Sequence, residues 1–354
     1  MQTPLKLALA GAGLGLALLA AAPVAAEYVD VLDLPAQHST LALGSPLSAI
    51  TRAGKRLLVV GQRGHILYSD NDGRDWQQAE VPVSSDLTAI RFAGERDGWA
   101  VGHDGVVLHS DDGGAHWTRQ LDGRRIGQLM LDFYAANPQA DNAALLDQAQ
   151  RMKEEGADKP FLDVWFKNAK EGFVVGAFNL ILHTADGGLT WTPWNHRVDN
   201  PQSLHLTAIA AVGEDLFIVG EQGLILKLDR QSQRFVALTS PYKGTFFGVV
   251  GEPGLIFAYG LRGHAVRSVD GGASWSEVNT GLPVSLTAAS VGGDGRLYLF
   301  SQAGQGLVSR DLGASFAPLA LNERTPVSGV LASGDSLLLV GNRGLQRSAL
   351  PAGQ

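Results

Sequence analysis

The 354-residue chain contains no cysteine, which excludes any disulfide and any lipid-bearing cysteine at a processed N-terminus. Its nine histidines are scattered, with no His-x-x-x-His and no His-Glu-x-x-His spacing, so neither a metal nor another cofactor is expected. Positive charge is short. The 28 Lys and Arg against 35 Asp and Glu leave a net charge of -7, a balance that argues against nucleic acid as a partner and against a generally membrane-adhesive surface. The long hydrophobic run of the chain lies at its start, where one early cation, Lys6, precedes the Ala, Leu and Gly of 7–22 and then Val24-Ala25-Ala26. Small residues at the last and third-last positions suit signal peptidase, so cleavage is expected before Glu27. A retained anchor is the alternative, because 7–22 approaches spanning length. Pro23 and the small-residue end favour cleavage and a periplasmic or secreted protein, peripheral at most to a membrane.

What the chain has in quantity is glycine, 44 residues of it, and the glycines recur in phase. The stretch Gly98-Trp99-Ala100-Val101-Gly102 to Trp117 reads as an apolar run, a tight turn, a second run and another turn closed by an aromatic. The second turn has the form Ser/Thr-x-Asp-x-Gly-x-x-Trp/Phe. The hydroxyl and the carboxylate bond the turn backbone, Gly takes a positive φ and the aromatic clamps the turn from the next strand. Copies centre on Asn71, Asp112, Asp186, Asp270 and Asp311, and two eroded units stand in phase around Lys227 and Ser348. Anchors at 69, 110, 184, 227, 268, 309 and 348 repeat at about 41 residues, one interval being about 33 longer. Four strands per unit at that period predict an all-β, seven-bladed β-propeller.

The mature region, 27–354, is therefore expected to be one domain and a monomer. Its last unit runs out after three strands, so a piece of 28–43 is expected to supply the missing outer strand and close the ring. The long interval places an insertion at about 122–160, between blades two and three. Within it Asp141 or Asn142 caps a helix with the body Ala143 to Glu155, ended by Gly156. Leu145, Ala149 and Met152 form a narrow apolar stripe, to pack on the propeller or to meet a partner. Blade four, whose turn lacks the Asp and Gly, is expected to keep its strands through Leu224, Leu226, Phe235 and Val236. The inner strands, built on Leu-Thr-Ala-Ile and its variants, read as packing alone.

Strand order sorts the loops onto two faces. The Asp-containing turns share one; the second-to-third turns and the crossovers, the insertion among them, share the other. On the second face Arg63, Arg262 and Arg343 hold the same position of a Gly-x-x-Gly turn in blades one, five and seven. Arg124, Arg125, Arg197, Lys243 and Arg324 are expected to join them, with His65 and His264 just past their turns. Arginines gathered on one face of an acidic protein are suited to bidentate recognition of carboxylates.

Units of the form Leu-x-Ala-Ile, Gly-Trp-Ala-Val-Gly-x-x-Gly and Ser/Thr-x-Asp-x-Gly-x-x-Trp, behind an export signal, resemble the photosystem II assembly and stability factor family over nearly the whole mature chain. The resemblance implies a seven-bladed, non-enzymatic propeller of the lumen or periplasm. It further implies binding of a membrane-protein complex or its assembly intermediate through an arginine-rich patch, and on that basis Arg63, Arg262 and Arg343 are carried over. The rival reading is a sialidase-like glycoside hydrolase, which needs an arginine triad, a Tyr nucleophile with a Glu neighbour and an Asp acid. Arginines are available, but Tyr68, Tyr259 and Tyr298 fall within strands, and Glu221 and Asp104 are the acids placed in second-to-third turns.

Overall fold

The structure is a computed structural model that describes residues 29–138, 142–321 and 323–350. The expected export signal, its expected cleavage before Glu27 and the candidate cap Asp141 lie outside the described residues. Six four-stranded antiparallel meanders and one three-stranded meander follow in chain order, the seven blades of a propeller. Blade one comprises Leu47–Ala53, Arg56–Gly61, Ile66–Ser69 and Gln77–Gln78. Blade seven comprises Val327–Ser333, Ser336–Gly341 and Gly344–Ala349.

The second strand of each blade carries the fold. Leu57 to Val60, Trp99 to Val101, Phe217 to Val219 and Leu337 to Val340 are buried without interruption, because each sheet is covered on both faces by its neighbours. These strands accordingly read as continuous apolar runs. The core is a circuit of seven clusters, one between each pair of adjacent blades. Between blades two and three Trp99 stacks on Phe166 with ring centroids 3.4 Å apart. At about 1.5–3 kcal/mol per fully buried side chain, each junction supplies much of its blades' stability. The inner strands add polar stitches: the hydroxyls of Thr88, Thr207 and Thr287 donate to the carbonyls of Phe161, Phe246 and Val327 in the following inner strand. The threonine of Leu-Thr-Ala thus links blades as well as filling space.

The turn chemistry expected from the repeat is present. Ser110 Oγ donates to Asp112 Oδ1 at 2.8 Å and accepts from Gly114 N–H at 2.9 Å. Asp112 Oδ1 also accepts from the backbone of Ala115 and His116, and Trp117 Nε1 donates to Gly114 O. Asp186, Asp270 and Asp311 repeat the pattern with a hydroxyl donor four residues on, Thr190, Ser274 or Ser315. Asn71 inverts it, its amide donating to the Asp75 carboxylate at 2.8 Å. In blade four Asp229 substitutes, accepting from Gln231 N–H and Ser232 Oγ. That blade keeps four strands, with Leu226 and Phe235 buried, but Val236 points outward at 41% exposure and is no part of its core.

Closure differs from expectation. Among the described residues blade seven has three strands, and 29–46 contributes none to any sheet. The reason is local: Asp30 makes a turn by accepting from Leu32 N–H, and Pro35 has no N–H to give a ladder. The segment is instead a strap across blades one and two. Ala36 N–H donates to Val81 O, Ser84 N–H to Val31 O and Ser39 N–H to the Gln78 side chain, while Leu32 is buried between the two blades. The ring closes through apolar packing of Ala42, Leu47, Ile50, Leu57 and Val59 on Leu338 and Val340. The turn Ala42–Gly44 takes the place of a crossover: a Cβ on Gly344 would lie 2.1 Å from Leu43 O, as one on Gly64 would lie 2.1 Å from Val83 O.

The insertion between blades two and three holds two helices rather than one, α1 (Gly123–Ala136) and α2 (Asn142–Glu155). Asp122 caps α1 by accepting from Arg124 N–H. The α2 stripe packs inward, Ala149 and Met152 being buried with Ile126, Met130 and Tyr134 of α1 in the cluster between blades two and three. The first helix escaped notice because Gly123 and Gly127 spoil its propensity, and Gly127 is required where a Cβ would lie 2.4 Å from Lys153 N.

The turn carboxylates set an acid limit. Burial raises the Asp112 pKa, but the hydrogen bonds from His116, Ser110 and Ala115 outweigh it and hold the group at about 2. Bonds from Ser274 and Ser315 likewise hold Asp270 and Asp311 at about 2. A carboxylate depressed in the folded state contributes stability above its unfolded value of ~3.9, and loses that contribution as pH falls through the folded value. Thermal melting should therefore weaken between pH ~4 and ~2, and Asp270→Asn/Asp311→Asn should flatten that fall, as Asn71 already serves blade one. An unchanged slope in the double variant would show that other groups set the acid limit.

Candidate functional site

The second-to-third turns and crossovers occupy one face, tied together by bonds such as Arg63 N–H to Asp86 Oδ1 at 2.8 Å and Arg262 N–H to Ser285 Oγ at 3.4 Å. In blades one and five the turn is a short 3-10 element whose middle residue sits in the left-handed region, Arg63 at φ 57 and Arg262 at φ 56. The same place is held by Asp104, Phe178 and Gln222 in blades two, three and four. Both arginines project into solvent.

Arg343 is exposed on the same face but is not their conformational equivalent. Gly341 pairs with Gly344, so Asn342 and Arg343 form a two-residue hairpin. Arg324 and Lys243, on the crossovers into blades seven and five, are also exposed. Among the described residues no salt bridge engages Arg63, Arg262, Arg324, Arg343 or Lys243. The cations thus form a broken arc on blades five, seven and one, blade six having Gln302 and Ala303 in its turn.

Arg124 does not join that arc as a free charge. Its guanidinium lies 2.7 Å from Asp33 of the strap and 2.9 Å from Asp122, and bonds to both carboxylates raise its pKa above the ordinary value. Arg119 donates to Leu32 O and lies 3.3 Å from Asp33. Arg125 is exposed, with Nη1 donating to Gln120 O. Arg197 stacks over Trp194 at 4.5 Å. His65 is buried at 6% exposure, and burial lowers its pKa, whereas His264 is exposed and stacks on Tyr242.

Two features were not anticipated. A channel of about 440 Å³ runs along the inner strands. It holds Arg91, 3.9 Å from Asp163, whose carboxylate accepts from Val164 and Ile209 N–H and whose pKa burial raises. The signal was there to be read: Arg91 and Asp163 are charges within inner strands made mostly of small, apolar and hydroxyl residues. The second is a cleft of about 730 Å³ between α2 and the crossover from blade three to four, bordered by Arg151, Lys159 and Phe178.

A family model described as photosynthesis system II assembly factor YCF48 matches 39–132 and 144–240. The chain belongs to that family. A photosystem II assembly lipoprotein Ycf48 from Synechococcus sp. (strain CC9902) is 30% identical over 122 residues, 32% of this chain and 35% of that protein. A photosystem II assembly protein Ycf48 from Synechococcus sp. (strain JA-2-3B'a(2-13)) is 32% identical over 140 residues, 36% of this chain and 41% of its own. The chain thus matches well under half the length of these relatives. YCF48 from Cyanidioschyzon merolae, a solved structure, superposes with TM-score 0.63 at 14% identity, covering 88% of this chain and 97% of that one. A structure of YCF48 bound to D1 peptide gives 0.63 at 13% identity, over 87% and 94%. Virginiamycin B lyase from Staphylococcus aureus reaches 0.65 at 11% identity, over 88% and 96%, so overall shape groups this propeller with an enzyme as readily as with YCF48. These structural likenesses show the fold alone, and family membership rests on the sequence match.

If the strap is a structural clamp, Asp33→Ala should lower the melting temperature by a few degrees, an exposed ion-pair network contributing modestly. Hydrogen exchange should speed up in 30–36 and at the start of α1 while blades four to six stay unchanged. Equal exchange in both proteins would show that Arg124 does not hold the strap.

Proposed function

We propose that this protein is an exported assembly factor that binds a membrane-protein complex, or an intermediate of one, through the cationic arc of its crossover face. The observation that carries the reading is that Arg63, Arg262, Arg324 and Arg343 stand exposed on the crossover face, with no salt bridge to any of them among the described residues. Arginine forks meet carboxylates in pairs, so the fitting surface is acidic. Family membership and relatives named as photosystem II assembly proteins support such a partner, and one fold neighbour is described with a D1 peptide bound. Arg125 extends the arc toward the insertion, whereas Arg124 serves the strap. The expected export signal supports a periplasmic or lumenal site.

A glycoside hydrolase is disfavoured by the tyrosines. Tyr259 and Tyr298 are buried at 7% and 1% exposure, and Tyr242, which does reach the crossover face, donates its hydroxyl to Leu261 O. Glu221 accepts from the backbone and ring of His205.

Capture of a membrane-protein complex from the native membrane fraction by the purified protein tests the proposal. Arg63→Glu/Arg262→Glu should cut capture at least ~10-fold and flatten its salt dependence, since exposed charges are screened within ~8 Å at physiological ionic strength. Arg74→Glu/Arg310→Glu on the opposite face should leave capture intact. The reverse outcome would assign the working face to the Asp-turn side.

A further inference from the structure

The third strand of blade seven, Gly344–Ala349, has six residues, whereas the third strands of the other blades have four or five. It is also the outermost strand of its sheet among the described residues. In a two-residue hairpin the hydrogen-bonded pairs alternate outward from the turn. Here those pairs are Gly341 with Gly344, Leu339 with Gln346 and Leu337 with Ser348. The N–H and C=O groups of Leu345, Arg347 and Ala349 therefore face away from the sheet, and none has a backbone partner among the described residues. A cavity of about 270 Å³ runs beside the strand, lined by Leu321, Glu323, Leu339, Gln346, Arg347 and Ser348.

The edge is polarised. Its start adjoins Arg343, and Thr325 Oγ1 donates to Gln346 Oε1 at 3.1 Å, which holds the Arg324-bearing crossover beside the same end. Glu323, the acid of that crossover, is turned to the Gln346 amide at 3.4 Å. The far end adjoins Asp335, whose carbonyl accepts from Leu350 N–H. In every other blade the fourth strand runs antiparallel to the third, from the Asp-turn face to the crossover face. A strand added here in that direction would end against Arg324 and Arg343. The described N-terminal segment cannot be that strand, being held on blades one and two.

We propose that the edge of blade seven is a strand-addition site for an extended segment of a partner polypeptide, antiparallel to Gly344–Ala349 and carrying carboxylates at its trailing end. Main-chain bonds to Leu345, Arg347 and Ala349 would supply affinity, and alternate side chains would enter the cavity beside Leu321 and Leu339. Added strands of this kind satisfy an edge that otherwise invites aggregation. The inference requires only that the protein binds partners, and it uses a place on the ring apart from Arg63 and Arg262.

The test uses the full chain and two fluorescent synthetic peptides of about eight residues, alternating Thr and Val, one ending in two aspartates and the other in two lysines. Anisotropy should show the aspartate peptide binding at least ~10-fold more tightly at low salt, the difference vanishing in Arg324→Glu/Arg343→Glu. Hydrogen exchange at Leu345, Arg347 and Ala349 should be fast in the free protein and slow in the complex. Leu345→Pro removes an outward donor without a ladder bond and should weaken both peptides; should it not fold, the exchange data decide alone. Arg63→Glu/Arg262→Glu should bind the aspartate peptide as the parent does, so this inference and the assembly reading fail separately. Binding that leaves those three amides unchanged would overturn the proposal. So would slow exchange there before any peptide is added, which in a monomer would mean a segment of this chain occupies the edge and in a dimer a second copy.

Discussion

Everything in this molecule depends on sheets that are covered on both faces. A single four-stranded meander has two apolar surfaces and cannot hide either by itself; placed between two siblings it hides both, and a ring is the arrangement in which no sheet is left at the end of a row. The seven interblade clusters, from the one that joins blades one and two to the one that joins blades seven and one, are that constraint satisfied in turn. The tight turns follow from it. When strands are bound by packing on both sides, the loops need only reverse the chain cheaply, and Ser110 with Asp112 does so through side-chain bonds inside a few residues.

This explains what could be read from the sequence and what could not. The repeat was legible because each unit must solve the same local problem: Gly102 must lack a Cβ, which would lie 2.1 Å from Asp86 O, and Asp270 must reach Ser274 N–H. Such needs are written within a few positions. The face on which Arg63 and Arg262 lie was legible for the same reason, since strand order alone assigns it. The destination of the strap was not, because nothing near Asp33 in sequence reveals Arg124, 91 residues away. Arg343 shows the finer failure: the same Gly-x-x-Gly letters as blade one form a two-residue hairpin, because β-pairing there continues to Gly341 and Gly344. The turn motif specifies a reversal, and the flanking ladder decides its shape.

The candidate site has the same dual origin. Its cations sit on turns fixed by local chemistry, but their availability is a tertiary matter. Arg124 and Arg125 are adjacent in sequence and alike in composition, yet one is held between two carboxylates and the other faces solvent. The channel pair Arg91 and Asp163 makes the complementary point, for charges that look like errors in an apolar pattern are where sheet packing has been broken for a polar bond between blades.

The strap bears on the order in which the chain matures. Its first described turn, around Asp30 to Asp33, finds its partners on blade two and on α1, and the closing junction joins Arg52 to Ser333 across 281 positions. Contacts that distant cannot form until the intervening chain has emerged and been organised, and such topologies fold slowly. The strap, early in the chain, is thus among the last segments to settle. Until blade two and its helix exist, the bonds that hold Asp33 have nothing to close on, so the start of the strap stays open to other contacts.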